Sequence, residues 1–468
     1  MVKKSVAVLA AGLLFLGCSN SISNLGKSSK FQEAKNASTK TEYQALFKKY
    51  KEENKTDDLL WDYEAGTVGY YVESYKDSVY YFDEAEKLIK KYDEEVLGSK
   101  ILANIGATLT NDTFMDYRPR IYEKIMVNAY KGIDFIDLSD MQNARVEFNR
   151  ALIRQQRAKE FFAKEIQKEK EKLKKESQKK LKNKKTGFNI SSAASNKKTL
   201  EPIEKKYTNL FAFKPYPDFV NPFVTYLSGV FFLNQGDYAK ATDLFKETYG
   251  MIKGLDEGDV YVLDDFKMAD KMKGSIAARR QNYTWVVFFN GEGPIKKELR
   301  IDIPLFLFSN NVYYTGIALP TLKMRDKAYP YLNVSNGKER VETKRVASMD
   351  RIVKTEFKKR FPVIVTRAIT RTVVQTVIQK QLKDKAGVIG GVLGALYQGT
   401  MNRADTRIWQ RLPKEFDVAK IKTSDKLVII TPDGQKIYEL KTNPNSSYIV
   451  FVTIPKKTSE PIISYQRF

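Results

Sequence analysis

The chain has 468 residues, 80 Lys and Arg against 56 Asp and Glu, a formal net charge of +24, one Cys and no His. The lack of histidine excludes histidine-based triads, histidine general bases and most transition-metal sites. A single cysteine excludes an intrachain disulfide, so the folded body must be held by hydrophobic cores, and a 42% hydrophobic content suffices for two or three domains.

The first residues form a pattern typical of bacterial secretion signals. Two lysines precede an apolar run over residues 6–16, which is too short to span a bilayer. Gly17 and Cys18 follow, and the segment resembles a bacterial lipoprotein signal, with Phe15 where such signals usually have Leu. We therefore predict lipidation of Cys18; an ordinary signal peptide or a buried core cysteine are the alternatives. Ser19 replaces the Asp that would favour the inner membrane, so the resemblance implies the outer membrane.

Residues 1–17 are thus predicted to be a signal peptide, and residues 18–41, rich in Ser, Asn and Lys, a flexible tether. No later run of 18 or more residues is apolar throughout, so we expect a lipid-anchored body without a transmembrane helix. We expect this body to face the periplasm, with surface exposure as the alternative. Asn54, with Glu52 two residues before it, resembles an acceptor for bacterial N-glycosylation and predicts an exposed polar segment.

Residues 42–278 are predicted to be helical, and they contain an internal repeat. Three segments share the order Gly, large, small, Phe, small, with offsets of 9, 12, 16 and 19 from the glycine. The sets are Gly66, Tyr75, Ser78, Phe82 and Ala85; Gly132, Met141, Ala144, Phe148 and Ala151; and Gly229, Tyr238, Ala241, Phe245 and Thr248. This pattern resembles the tetratricopeptide repeat, in which small residues let two antiparallel helices approach and Phe fills the gap.

The three copies are not in tandem. Their glycines are 66 and 97 residues apart, whereas consecutive repeats would be about 34 apart, so further helix pairs are expected between them, for example around 97–109. We expect about four to six helix pairs that bury a continuous core. A concave surface for a protein or peptide is the functional interpretation, and a helical scaffold without a groove partner is the alternative.

A lysine-rich insert at 165–205 interrupts the helices. Residues 168–185 hold ten lysines against three glutamates. Such a run is typical of a solvated helix or a disordered insert. The alternative is a contact with an anionic polymer or a membrane surface. The predicted compartment argues against nucleic acid as a partner.

Residues 279–468 are predicted to be β-rich, with a helical insert at 349–404. The candidate strands are 283–289, 297–303, 312–319, 415–421, 426–431, 436–440 and 448–454. Asp433 and Gly434 are expected at the tip of a hairpin. These features predict a β-sandwich. Aromatic strands such as the one around Trp285 favour a core position over a carbohydrate-binding platform.

The insert at 349–404 is predicted to be a helical hairpin. Its first half is amphipathic, with apolar residues at helical spacing. In its second half Gly387, Gly391, Ala395 and Gly399 recur every fourth residue among Val, Ile and Leu. Such a small-residue face allows close helix approach. We expect this second half of the insert to pack on the preceding helix. The alternatives are that it lies in a membrane surface or contacts a partner.

Four segments resemble a known family. They are LLWDYEAG at 59–66, ARVEFNR at 144–150, NPFVTYLSG at 221–229 and ADTRIWQRLP at 404–413. The family consists of uncharacterised bacterial outer-membrane lipoproteins with tetratricopeptide-like helices, and the resemblance covers most of the mature chain except the lysine-rich insert. Asp405, Thr406, Arg407 and Trp409 are the family motif residues in the last segment, where Asp405 and Arg407 are expected to form a structural ion pair.

The resemblance implies a multi-lipoprotein envelope assembly. Family members are often encoded beside two other small lipoproteins, one of them similar to an outer-membrane activator of penicillin-binding proteins. The sequence contains no phosphate loop, dinucleotide fingerprint or Gly-x-Ser-x-Gly motif. We therefore expect a non-catalytic scaffold for other envelope proteins, without a metal or cofactor. A surface-exposed adhesin and a peptidoglycan-active enzyme are the alternatives.

Overall fold

The computed structural model is an α+β protein with helices in the N-terminal half and strands in the C-terminal part. It describes residues 37–53, 55, 58–98, 116–181, 197–217, 219–273, 281–304, 314–372, 374–375 and 403–468. The predicted site residues outside these ranges are Cys18, Asn54, Gly387, Gly391, Ala395 and Gly399. Most of the helix pair expected around 97–109 also lies outside them.

Eleven helices lie within the described ranges. They are α1 Lys40–Glu53, α2 Leu59–Tyr71, α3 Tyr75–Leu97, α4 Ile121–Asp137, α5 Met141–Leu181, α6 Lys197–Lys206, α7 Thr208–Phe211, α8 Pro222–Asn234, α9 Tyr238–Ile252, α10 Asp259–Lys273 and α11 349–372. None of the described helices has the length and apolarity needed to cross a membrane. Helix α5 continues into the predicted lysine-rich insert as far as Leu181, and Leu173 in this part of the helix is buried. Helix α11 is the described first half of the predicted insert at 349–404.

The three predicted repeat segments form the helix hairpins α2–α3, α4–α5 and α8–α9. In each hairpin the glycine of the first helix faces the Phe of the second. The pairs are Gly66 with Phe82, Gly132 with Phe148, and Gly229 with Phe245. A Cβ atom on any of these glycines would lie within 2.9 Å of the ring, closer than van der Waals contact allows. The glycines are therefore required by the distance between the helices.

The loops of these hairpins are also equivalent. The seventh residue after each glycine has a left-handed backbone: Glu73 at φ 61°, Ser139 at φ 60° and Gly236 at φ 77°. The following amide closes each loop on a carbonyl five residues earlier. These bonds are Ser74 N to Gly69 O at 2.9 Å, Asp140 N to Phe135 O at 2.8 Å, and Asp237 N to Phe232 O at 2.9 Å. Such bonds satisfy carbonyls at the end of the first helix. The three hairpins therefore share the backbone conformation of their loops as well as their sequence pattern.

Eleven strands are described in three sheets. They are β1 Tyr283–Asn290, β2 Ile295–Pro304, β3 Tyr314–Lys323, β4 Asn333–Ser335, β5 Arg340–Glu342, β6 Lys344–Ser348, β7 Glu415–Lys422, β8 Lys426–Ile430, β9 Lys436–Lys441, β10 Tyr448–Ile454 and β11 Ile462–Arg467. The sheets have the orders β11-β10-β1-β7-β6, β2-β3 and β5-β4-β8-β9. Only β1 and β10 pair in parallel; the other described pairs are antiparallel.

The seven predicted strands correspond to β1, β2, β3, β7, β8, β9 and β10. The turn at Asp433-Gly434 joins β8 to β9: Gly434 has φ +90° and its amide donates to Thr431 O at 3.0 Å. The short strands β4, β5 and β6, and β11, were not predicted from the sequence.

The five-stranded sheet has two buried faces. Val286 and Phe288 of β1 pack with residues of the four-stranded sheet, such as Val334 of β4. Trp285 and Phe289 of the same strand belong to the cluster formed with the helices. Alternate side chains of a strand point to opposite faces, so one strand joins both layers. The core formed with the helices therefore continues across the boundary predicted at residue 279.

The first helices of the three hairpins lie between the second helices and the sheet. Every residue of α2 is buried, and α8 is buried except for its last residue. Phe223 of α8 stacks on Phe416 of β7 with ring centroids 3.8 Å apart, and Tyr70 of α2 contacts Phe289. A partner groove lined by these first helices is therefore not open, because the chain's own sheet covers them.

Candidate functional site

A partly enclosed, arginine-rich space lies between α4, β2, β3, α11 and residues 404–407. Two adjoining cavities of about 80 and about 50 Å³ share Arg120, Arg360, Ile364, Arg367 and Asp405. We call the two cavities together the arginine cleft. Its basic lining residues are Arg118, Arg120, Lys296, Arg360, Arg367, Arg371 and Arg407, and its acidic ones Asp116, Glu169, Glu356 and Asp405. Seven cations against four carboxylates leave the lining with a positive excess.

Helix α11 supplies one side of the arginine cleft. Arg360, Arg367 and Arg371 are seven and four residues apart, a spacing that places side chains on one face of a helix. Ile364 and Phe357 of the same helix line the larger cavity as well. This wall therefore presents guanidinium groups beside apolar side chains.

Arg360 is a deeply buried cation of the arginine cleft, at 5% exposure. Its Nε donates to Glu356 Oε1 at 2.8 Å, and its Nη2 pairs with Glu165. Although burial alone would lower it, Glu165 and Glu356 hold the pKa of Arg360 above its usual range. Its third nitrogen, Nη1, is buried and has no hydrogen-bond partner among the described residues.

Glu356 fixes α11 against the start of α4. Its Oε2 accepts the amides of Ile121 at 3.0 Å and Tyr122 at 3.4 Å. These amides belong to the first turn of a helix, where donors lack intrahelical partners and the dipole favours a negative group. The carboxylate also binds Arg360, so it connects the two walls of the arginine cleft.

Lys296 of β2 contributes the only ammonium group of this lining. Its Nζ donates to the carbonyl of Arg407 at 3.1 Å. Burial and the nearby Arg120 lower the pKa of Lys296 to about 8, while Asp405 acts in the opposite direction. A lysine with such a pKa is only partly charged in weakly alkaline solution, and an anion beside it would stabilise its charged form.

The four residues predicted to form a motif, Asp405, Thr406, Arg407 and Trp409, divide between two places. Arg407 donates from Nε to Asp405 Oδ1 at 2.9 Å and from Nη2 to Oδ2 at 3.1 Å, at the edge of the arginine cleft. Although burial would raise it, Arg407 holds the pKa of Asp405 well below its usual range. Thr406 is exposed. Trp409 is instead buried in the core, where it stacks on Tyr63.

The repeat residues lie within the helix hairpins, away from the arginine cleft. Ala85, Ala144, Ala151 and Ala241 are fully buried. Tyr75 is the first residue of α3, Tyr238 is the first residue of α9, and both pack partly buried against the core. Ser78 Oγ lies within hydrogen-bond distance of Gly66 O, at 2.9 Å, and of Asp134 Oδ2, at 2.7 Å. The structure places these residues in helix packing and does not assemble them into an open groove.

The arginine cleft was not predicted from the sequence. The signal that could have indicated it is the seven-and-four spacing of Arg360, Arg367 and Arg371 within the amphipathic stretch. No group of three or more metal-binding side chains is placed to hold a metal in the described parts of the chain. Comparison with protein families, with characterised proteins and with solved structures finds no match to this chain.

Proposed function

We propose that the protein is a non-catalytic scaffold, anchored by a lipid on Cys18 to the periplasmic side of the bacterial outer membrane. In this proposal it holds other envelope proteins, chiefly small lipoproteins, in a complex for cell-wall or surface-structure assembly. The observation that carries the proposal is the repeated helix hairpin packed on a sheet. This arrangement gives a large body with a shared core, and the second helices lie on the side away from the sheet.

We infer that the three hairpins are tetratricopeptide-like units, and that the five-stranded and four-stranded sheets form a sandwich. The equal offsets of the glycines, left-handed residues and loop bonds support the first inference. The cluster shared by β1, β4 and β8 supports the second. Because the first helices cover the sheet, the scaffold would bind partners through its second helices.

Exposed apolar side chains on α5 support this partner surface. Val146 and Ile153 are 42% and 46% exposed, and seven residues apart they lie on the same side of the helix. Scattered exposed apolar residues are common on protein surfaces, so a matched comparison is needed. Val260 of α10 is similarly exposed, at 50%, and provides it.

The test is affinity capture from cells after crosslinking in vivo. Wild type is compared with the double variant Val146→Glu, Ile153→Glu and with Val260→Glu. We expect the same envelope proteins with wild type and Val260→Glu, and their loss with the double variant. Reproducible recovery of no envelope partner by the wild-type chain, with and without residues 362–403, would contradict the scaffold function.

The anchor and orientation have separate tests. Cys18→Ala should abolish incorporation of labelled palmitate and release the chain from outer-membrane fractions. Unchanged labelling and fractionation would contradict the lipid anchor. Protease treatment of intact cells should leave a periplasmic chain uncut, whereas cleavage would favour the adhesin. Soluble fragments released from purified cell-wall sacculi would favour the enzyme.

A further inference from the structure

We propose that the arginine cleft binds the phosphate monoester group of a small molecule or lipid, with the adjoining apolar part of that ligand against the α11 wall. This proposal goes beyond the scaffold function and does not depend on it. The observations that carry it are a cavity, a cluster of enclosed cations and a buried nitrogen of Arg360 that has no hydrogen-bond partner among the described residues.

The lining of the arginine cleft carries more positive than negative groups. Seven basic side chains and four acidic ones surround the two cavities. Glu165 lies behind Arg360 as a further acid, and a positive excess remains after it is counted. Charges removed from water are costly unless they are paired. A dianion would compensate the excess, whereas a neutral ligand would not.

The arginine cleft contains hydrogen-bond donors of the kinds that bind phosphate. Arg360 Nη1 is buried and has no hydrogen-bond partner among the described residues, and Arg360 lines both cavities. The planar fork of Arg matches the oxygens of phosphate, and Lys adds a point charge. Lys296 lines the larger cavity together with Arg360 and Arg371. This mixture of guanidinium and ammonium groups is suited to a phosphate with several free oxygens.

The larger cavity of the arginine cleft has room for a small group and is partly lined by apolar side chains. A single water needs roughly 10–15 Å³ of such space, so the cavity of about 80 Å³ has room for a group of several heavy atoms. Leu319, Val353, Phe357, Ile364 and Ala368 line the same cavity. An inorganic anion would leave these side chains uncovered. A phosphate ester with a short apolar portion would contact them and the cations together.

The test measures binding by isothermal titration calorimetry with the full chain in a nonionic detergent at constant ionic strength. The probes are inorganic phosphate, glycerol 3-phosphate and dihexanoyl phosphatidate. Preference for phosphatidate would identify a lipid as the source, and equal or tighter binding of glycerol 3-phosphate would identify a soluble ester. Either result supports the site when it depends on the cleft variants.

The cleft variants are Lys296→Gln on β2 and Arg371→Gln on α11, and the control is Lys297→Gln. Lys297 is exposed and follows Lys296 in the strand, so its side chain points to the opposite face. We expect at least about tenfold weaker binding for each cleft variant, and less than about twofold change for the control. Two variants in different elements keep the test valid if one of them fails to fold.

Absence of binding of all three probes by wild type up to about 10 mM, which corresponds to less than about 3 kcal/mol of binding free energy, would overturn the proposal. An equal loss of affinity in Lys297→Gln would overturn it as well, because binding would then depend on general surface charge. Binding that is unchanged in both cleft variants would do the same.

Discussion

Trp409 stacks on Tyr63 with ring centroids 4.5 Å apart and an angle of 17° between the planes. The indole N–H of Trp409 donates to Thr67 Oγ1 at 3.0 Å, and the next amide, of Gln410, donates to Glu64 Oε1 at 2.8 Å. Tyr63, Glu64 and Thr67 belong to α2, whereas Trp409 precedes β7. These contacts therefore attach the segment before β7, a strand of the five-stranded sheet, to α2.

The first prediction concerns this contact. Trp409→Ala should lower the free energy of unfolding by about 3–5 kcal/mol, since it removes a fully buried indole and leaves a cavity. Trp409→Phe should cost less, because a ring remains against Tyr63. Denaturant unfolding followed by far-ultraviolet circular dichroism measures both. Tyr465→Ala, at a side chain 47% exposed, is the control and should change stability by less than about 0.5 kcal/mol.

The second prediction concerns the shared core. Fragments 42–278 and 279–468, expressed separately, should not show cooperative thermal unfolding. Each would expose one side of contacts such as the one between Phe223 and Phe416. Fragment 42–468 should melt cooperatively, and calorimetry compares the three. A sharp transition in either half alone would mean that the predicted boundary separates independent domains.

The sequence indicated the local elements of this fold more fully than their packing. The register from Gly66 to Ala85 and its two copies could be found because close helix packing leaves a fixed spacing of glycine and Phe. Strand β1 could be found from its run of β-branched and aromatic residues. Burial of both faces of β1 could not be derived, because an apolar run does not specify which layers cover it.

The third prediction tests the close approach of α4 and α5. Gly132→Ala should destabilise the chain, because the added Cβ would lie 2.9 Å from the buried ring of Phe148. Overpacking costs about 1–3 kcal/mol, more than the roughly 1 kcal/mol that Ala gains over Gly as a helix former. The melting temperature measures the result. Adding Phe148→Leu should recover part of the loss.

Gly250→Ala in α9 is the matched control for this prediction. A Cβ there would meet nothing within 4 Å, so only the gain in helix propensity applies, and the melting temperature should stay equal or rise. A similar fall for Gly132→Ala and Gly250→Ala would show that the contact with Phe148 is not the cause.

The arginine cleft shows why a site is harder to derive than a repeat. Arg360 and Arg371 could be placed on one helix face from their spacing. Lys296 and Arg120 come from a strand and from the residue before α4, and only tertiary structure brings them to the same cavity. The motif residues Asp405 and Trp409, four positions apart, end in different environments because the connecting segment enters the core between them.

Asp417 of β7 is a buried carboxyl whose environment disfavours its charge. It is 2% exposed, and Asn290 Nδ2 donates to its Oδ2 at 2.8 Å. Burial, followed by the neighbouring Glu415, raises the pKa of Asp417 to about 7, against the opposing effects of Lys327 and Arg345. The folded chain therefore holds a proton on this group over a range in which the unfolded chain has lost it.

The fourth prediction follows from this difference in proton binding. Because the pKa of Asp417 is about 7 in the folded chain and near 3.8 when unperturbed, the group's contribution to stability falls as pH rises from about 4 to about 7 and stays lowest above that. Asp417→Asn keeps an oxygen acceptor and removes the ionisation. It should stabilise the chain more at pH 8 than at pH 5, by about 3 kcal/mol, because part of the full effect of about 4 kcal/mol is already present at pH 5. Melting temperatures at both pH values measure this.

Asp425→Asn, at an exposed position before β8, is the control and should show no such difference. An equal effect of Asp417→Asn on the melting temperature at the two pH values would contradict the raised pKa of Asp417.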